Sequence, residues 1–268
     1  MNVTNLKDAE FRQFQTWLYD KAGISLSDAK KALVSGRLSK RLQHHSLSTY
    51  GDYFKLITTT GEAAEQQIAL DLLTTNETYF FREPKHFDFL RDQILREATP
   101  GKLFRLWCGA SSSGEEPYTL AMTLAEGLKS TPWEMVASDI STKVLDMARA
   151  GHYPLERAEN IPKHLLSKYC LKGTGSQEGT FIIEPQLRSR VQFMQINLNT
   201  NLPRMGEFDV IFLRNVMIYF DVETKRRVVA RAVQLLKPGG YFVVSHSESL
   251  NGVTDALKVV TPSIYRKP

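Results

Sequence analysis

Residues 103–128 read LFRLWCGASSSGEEPYTLAMTLAEGL. A short apolar run from Leu103 to Cys108 gives way to a loop holding Gly109 and Gly114, and then to an amphipathic helical stretch ending near Leu128. That order predicts a buried strand, a glycine loop and a helix. Glycines at such a turn let the backbone approach a ligand and adopt conformations that a side chain would obstruct. The Gly109 to Gly114 spacing does not give G-x-G-x-x-G, so the loop is not a dinucleotide fingerprint.

The charge at the helix start narrows the ligand. A pyrophosphate favours free N–H groups without nearby negative charge, whereas Glu115 and Glu116 stand there. Two carboxylates suit a ligand carrying an amino or sulfonium cation, which favours S-adenosylmethionine over NAD or ATP; alternatively they complement the helix dipole. Asp139, after the second apolar run MVASDI, is placed to accept hydrogen bonds from both ribose hydroxyls, or else to cap the helix beginning near Ser141.

Outward from this unit, short apolar runs recur at Met135 to Ser138, Val191 to Ile196, Val210 to Leu213 and Tyr241 to Ser245, separated by helical stretches. The pattern predicts a mainly parallel sheet with helices on both faces, an α/β Rossmann-like domain over residues 101–268. The alternation fails within 151–190, where KGTGSQEGTFIIEP reads as a glycine turn and short strand of a small antiparallel subdomain. LKPGGYFVVSHSE reads as a helix end, a Pro-Gly-Gly turn and a fifth strand. Asn197 ends QFMQINLNT, where it can meet an adenine amino group. FDVIFLRNVMIYF delivers Arg214, Asn215 and Tyr219 to the same sheet edge.

Residues 1–70 read as an all-α domain, with Phe11, Phe14 and Leu18 at helical spacing. Lys30, Arg37, Arg41 and His44 fall near one stripe. Lys21, Lys30, Lys31, Arg37, Lys40 and Arg41 face a lone Asp28 between residues 21 and 45, which suggests an acidic partner. The segment 71–100, with LLTTNETYFFREPKHF, is too polar and aromatic for a flexible linker and is expected to pack against the second domain.

Composition bounds the class. Of 268 residues 42% are apolar and 24% charged, and the formal charge is +5. No apolar run approaches the ~18 residues that cross a bilayer, and the N-terminus has no secretory pattern, so a cytoplasmic protein without membrane insertion is expected. Cys108 and Cys170 have no partner at metal-ligand spacing, so no metal is expected and both read as reduced. A nucleic-acid methyltransferase is one alternative, but RNVMIY stands where [DN]-P-P-[FY] would, and no Pro-Cys pair occurs. A non-catalytic receptor-binding adaptor is another.

The motifs LLTTNETYFFRE, CGASSSGEEPYT, SDIS, INL, FLRNVMIYF and LKPGG, in this order, resemble those of the CheR chemotaxis receptor methyltransferases. The resemblance covers nearly the whole chain. It implies a helical receptor-contacting domain and a catalytic domain that transfers methyl from S-adenosylmethionine to receptor glutamates, leaving S-adenosylhomocysteine. It further implies that Asn76, Thr78, Arg82, Gly109, Glu115, Asp139, Asn197, Leu198, Leu213 and Arg214 line the cofactor site. Arg82 and Tyr219 then lie nearest the transferred methyl, Lys30, Arg37 and Arg41 meet the receptor helices, and Gly173 and Gly175 belong to a subdomain turn that docks a receptor C-terminal tether peptide. A glutamate, with a pKa of about 4.3, is already ionised at neutral pH and needs no general base.

Overall fold

A computed structural model describes residues 4–268, which divide into two compact units: the chain to Thr75 together with Tyr219–Thr224, and Asn76–Ile218 with Lys225–Pro268.

In the first unit, α1 (Asp8–Ala22), α2 (Lys31–His44), α3 (Tyr50–Thr58) and α4 (Ala63–Leu73) enclose Phe14, Leu18, Leu38, Leu42, Tyr53 and Ile57, all fully buried. The i, i+4 spacing of Phe14 with Leu18 and of Leu38 with Leu42 puts each pair on one helix face. The segment 219–224 is tied into this unit. Tyr19 donates to Asp221 Oδ2 at 2.7 Å, Ser25 N to Tyr219 O at 2.8 Å, and Ile24 bridges Phe220.

The expectation that α2 presents a free basic stripe is corrected here. Arg37 donates to the carbonyls of Leu73 (3.2 Å) and Thr74 (2.9 Å), satisfying the end of α4. Arg41 grips Glu65 through Nε (2.8 Å) and Nη2 (2.5 Å), while Tyr53 donates to the same carboxylate at 2.7 Å and His45 lies 3.0 Å from it. Spacing along one helix shows which residues share a face, but not that a neighbouring helix supplies their partners. Lys30 remains exposed.

Burial alone would push the Glu65 carboxyl up, yet Arg41, Tyr53 and His45 hold it down at about 2. A carboxylate whose pKa falls on folding stabilises the fold above its unfolded value, near 4.5, and loses that contribution as pH falls toward 2. Glu65→Gln should therefore be less stable than the parent at pH 7 and converge with it near pH 2, measured as urea midpoints of the far-ultraviolet helical signal. A constant difference across that range would show that ionisation of Glu65 is not what stabilises the unit.

The second unit begins with the short helix α5 (Lys85–Phe89), a π-helical turn Leu90–Ile94 and α6 (Leu95–Glu97). It continues with β1 (Phe104–Gly109), α7 (Glu115–Leu128), β2 (Trp133–Asp139) and α8 (Thr142–Ala150). There follow β3 (His152–Pro154), α9 (Lys163–Tyr169), β4 (Cys170–Lys172), β5 (Thr180–Ile183) and α10 (Pro185–Arg188). The chain then forms β6 (Val191–Gln195), β7 (Phe208–Leu213), α11 (Val222–Gln234), β8 (Leu236–Val243), β9 (Lys258–Thr261) and β10 (Ile264–Arg266).

Seven strands form one sheet in the order β6-β2-β1-β7-β8-β10-β9, parallel from β6 through β8, with β10 antiparallel to its two neighbours. β3, β5 and β4 form the expected antiparallel subdomain. The near-continuous apolar runs follow from a sheet covered on both faces. Leu106, Phe212, Tyr118 and Leu120 lie in its core, joined by Phe80 and Phe87 from the 71–100 segment.

The central strands end together, Gly109 opposite Ser138 and Leu213, and Asp139 opposite Gln195. Chain order reverses between β1 and β7, and a crevice at such a switch point, outside the carboxyl ends of the strands, is where α/β sheets bind ligands. The Pro-Gly-Gly turn expected after the last helix lies instead inside β8, where the register with β7 slips between Phe208 and Val210. Lys237 holds that irregularity by reaching Asp209 at 2.8 Å. Cys170 opens β4. Among the described residues no helix is long and apolar enough to cross a membrane.

Candidate active site

The glycine loop leaves β1 with positive φ at Ala110 (55°), Ser112 (48°) and Gly114 (101°). Non-glycine residues in this region are strained and persist only where the surroundings over-determine them. Here the restraints are explicit. Ser111 N donates to Ser138 O (2.8 Å), Ser112 N to Asp139 Oδ2 (2.9 Å) and Ser112 Oγ to Asn76 O (2.9 Å). A Cβ on Gly109 would sit 2.7 Å from Leu213 Cδ1, and one on Gly114 would sit 2.7 Å from the Tyr153 hydroxyl. Gly114 is required by its left-handed backbone and by packing, while at Gly109 the Leu213 side chain fills the space a Cβ would take.

Asp139 is buried at the end of β2 and accepts Ser112 N through Oδ2 and Ser141 N through Oδ1, both at 2.9 Å. The N-cap of the following helix is Ser141, whose Oγ accepts Val144 N. Asn197 follows β6 and accepts Asn199 N at 2.9 Å, and Leu198 is buried. Asn76 and Thr78 belong to the second unit, Thr78 through its carbonyl, which accepts Arg157 Nη1 at 2.9 Å. These residues and the glycine loop gather at the carboxyl edge of the sheet.

At the helix start both acids have arginine partners. Glu115, buried, accepts Ser113 Oγ at 2.7 Å and meets Arg157 at 3.1 Å, and burial still pushes its carboxyl above the usual range. Glu116 meets Arg214 Nη1 at 2.7 Å and accepts the Cys108 thiol at 3.3 Å. Each carboxylate therefore faces an arginine of its own chain, partners that the sequence reading of a cationic ligand at this helix start did not include. Arg157, in the turn Leu155–Ala158 directly after β3, carried no sequence signal.

Arg214 is likewise turned inward. Its side chain is fully buried, with Nη2 donating to Arg82 O at 2.6 Å and lying 3.1 Å from Glu83 Oε2, and its guanidinium stands 5.4 Å from the Phe87 ring centre. Arg82 itself is half-buried, donating to Glu77 O at 2.9 Å beside the Tyr79 ring. Tyr219, in the turn Met217–Tyr219, falls in the first unit. Gly173 and Gly175 flank the subdomain turn, with Gly173 N donating to Thr180 O at 2.9 Å.

Glu83, His86 and His246 bring three ligand-type atoms within 4.8 Å of one another. Arg214 already balances Glu83, and burial together with Arg214 pushes His86 down to about 3, leaving a neutral imidazole. The cluster is charge-balanced through arginine.

The chain matches two families along its length, the one described as CheR methyltransferase, all-alpha domain, over residues 9–74, and that described as CheR methyltransferase, SAM binding domain, over residues 76–265. The chain belongs to the CheR methyltransferase family. It is 44% identical over 259 residues to chemotaxis protein methyltransferase 2 of Pseudomonas aeruginosa, covering 96% of this chain and 92% of that one. It is 41% identical over 263 residues to the chemotaxis protein methyltransferase of Escherichia coli, covering 97% and 91%. It is 36% identical over 278 residues to that of Borreliella burgdorferi, covering 100% and 96%. The CheR member described here is a methyltransferase that uses S-adenosylmethionine.

The residues present fit that cofactor. Asp139 offers a buried carboxylate at the strand end, and among the described residues the buried Ser111 Oγ in the loop has no hydrogen-bond partner.

Proposed function

We propose that this CheR protein methylates glutamate side chains on the cytoplasmic domains of chemoreceptors, giving glutamyl methyl esters, and that it works in the cytoplasm. S-adenosylmethionine supplies a sulfonium-bound methyl that passes to a carboxylate oxygen, leaving S-adenosylhomocysteine. The supporting observation is that the acids and the thiol beside the loop are paired inward. Glu115 faces Arg157, Glu116 faces Arg214, and burial raises the Cys108 thiol well above its usual range. Acids and a thiol held in this way are not poised as bases, which suits an acceptor that is already ionised.

In this reading Asp139 holds the ribose, Asn197 and Leu198 flank the adenine, and Gly109, Leu213, Asn76, Thr78 and Glu115 shape the remaining wall. Arg214 positions Arg82 through the backbone of the 82–83 segment, while Arg82 and Tyr219 orient the incoming carboxylate. Bringing carboxylate and sulfonium together cancels charge, so alignment and exclusion of water supply the rate enhancement. Too strong a pairing with Arg82 would stabilise the ground state. Receptor contact on the helical unit falls to Lys30, with Arg37 and Arg41 fixing the helix that carries it. The tether peptide adds to the subdomain at β4, an edge strand on which Leu171 is 51% exposed, beside the Gly173 to Gly175 turn.

The test is transfer of labelled methyl to receptor fragments with and without their C-terminal peptide, read as base-labile ester. Arg82→Ala should cut turnover about 10²-fold, as misplacement of a reactant does, while S-adenosylhomocysteine affinity stays within a few fold. Unchanged turnover would remove Arg82 from this role, and absence of base-labile label would remove the glutamate acceptor.

A further inference from the structure

Between Leu213 and the turn Met217–Tyr219 the chain is irregular, and Asn215 sits at φ 56°, in the left-handed region that asparagine enters more readily than most residues with a side chain. The segment is held from outside by Glu248, in the loop after β8. Its Oε2 accepts Asn215 N and Ser245 N, both at 2.9 Å, and its Oε1 accepts Met217 N at 2.8 Å and Ile218 N at 3.3 Å. A carboxylate has about four lone-pair sites, and four backbone N–H groups meet them. In the same loop His246 N donates to Glu83 Oε2 at 3.0 Å. One loop thus braces both the segment that follows Arg82 and the segment that leads to Tyr219.

We infer that Glu248 is a positioning residue for methyl transfer, holding the backbone of Asn215–Ile218 in the shape the reaction requires. It does not touch the reacting groups. The inference rests on the proposed roles of Arg82 and Tyr219, since Ile218 is the residue before Tyr219 and its backbone sets where that side chain begins.

Glutamine separates bracing from packing. It has the shape of glutamate, but its amide nitrogen donates and so would oppose two of the four N–H groups. Glu248→Gln should lower kcat about 30-fold or more, with the KM for receptor and the affinity for S-adenosylhomocysteine each within about threefold, because a misplaced backbone costs alignment rather than binding. Hydrogen exchange at Asn215, Met217 and Ile218 should be slow in the parent and fast in this variant. Glu248→Asp keeps both oxygens and should recover part of the rate and part of the protection.

Fast exchange at these amides in the parent, or parent-like kcat in the glutamine variant despite their release, would overturn the inference. If the glutamine variant does not fold, the aspartate variant and the parent exchange pattern decide it by the same criteria. Failure of the Arg82 and Tyr219 roles is read separately, from unchanged turnover in Arg82→Ala.

Discussion

Arg214→Met should destabilise the second unit by about 3–5 kcal/mol at pH 8, the usual cost of removing one partner from a buried ion pair. The guanidinium sits between Glu83 (3.1 Å) and Glu116 (2.7 Å) with no side-chain exposure. A methionine of similar length fills the space but leaves two carboxylates without their cation. Burial already raises the Glu116 carboxyl, and Arg214 is the leading influence pulling both carboxyls down. Without it the Glu116 carboxyl, already raised by burial, rises further, and Glu83 loses the leading influence that lowers it. The folded variant then binds more protons than the unfolded chain, so its stability falls as pH rises. The deficit should be smaller at pH 5 than at pH 8, followed in urea through the emission of Trp107 and Trp133, with Trp17 reporting the first unit. A variant within about 1 kcal/mol of the parent at pH 8 would show that Arg214 is not the balancing charge.

Asp139→Ala should weaken S-adenosylhomocysteine binding about 10²-fold or more. Hydrogen bonds to a charged group contribute about 1.5–3 kcal/mol each, and the proposed ribose contact has two. The same carboxylate also accepts Ser112 N and Ser141 N at 2.9 Å, so affinity could fall through the loop alone. The two causes separate in a cycle with a 2′-deoxyribose analogue of S-adenosylhomocysteine. If Asp139 holds the ribose, the analogue binds the parent more weakly than the natural ligand, and the difference shrinks in the variant. Equal losses in both proteins, measured by titration calorimetry, would assign Asp139 to loop support instead.

The sequence made β1, the glycine loop and α7 legible because their signals are local: an apolar run, glycines at a turn and a helical period. Asp139 was legible for the same reason, as the polar residue that ends an apolar run. What stayed hidden depends on pairs distant along the chain. Glu83 and Glu116 meet Arg214, Glu115 meets Arg157, and Arg41 meets Glu65. A helical stripe of arginines looks the same whether it faces solvent or a buried glutamate. Glu248 was invisible because a carboxylate that serves four backbone amides has no periodicity to betray it, and LKPGG misled because Pro and Gly mark a bulge inside a strand as readily as a turn.

The assignment of Tyr219–Thr224 to the helical unit has a consequence for dissecting this chain. Cutting after Thr75 does not release two self-sufficient pieces. A fragment beginning at Asn76 keeps the 219–224 segment but loses Tyr19, Ile24 and Ser25, which hold it through Asp221, Phe220 and Tyr219. A fragment ending at Thr75 lacks the strip of chain that completes its own packing. The helical unit is made of two separate stretches of chain, so any dissection of it has to keep both, the part up to Thr75 and Tyr219–Thr224.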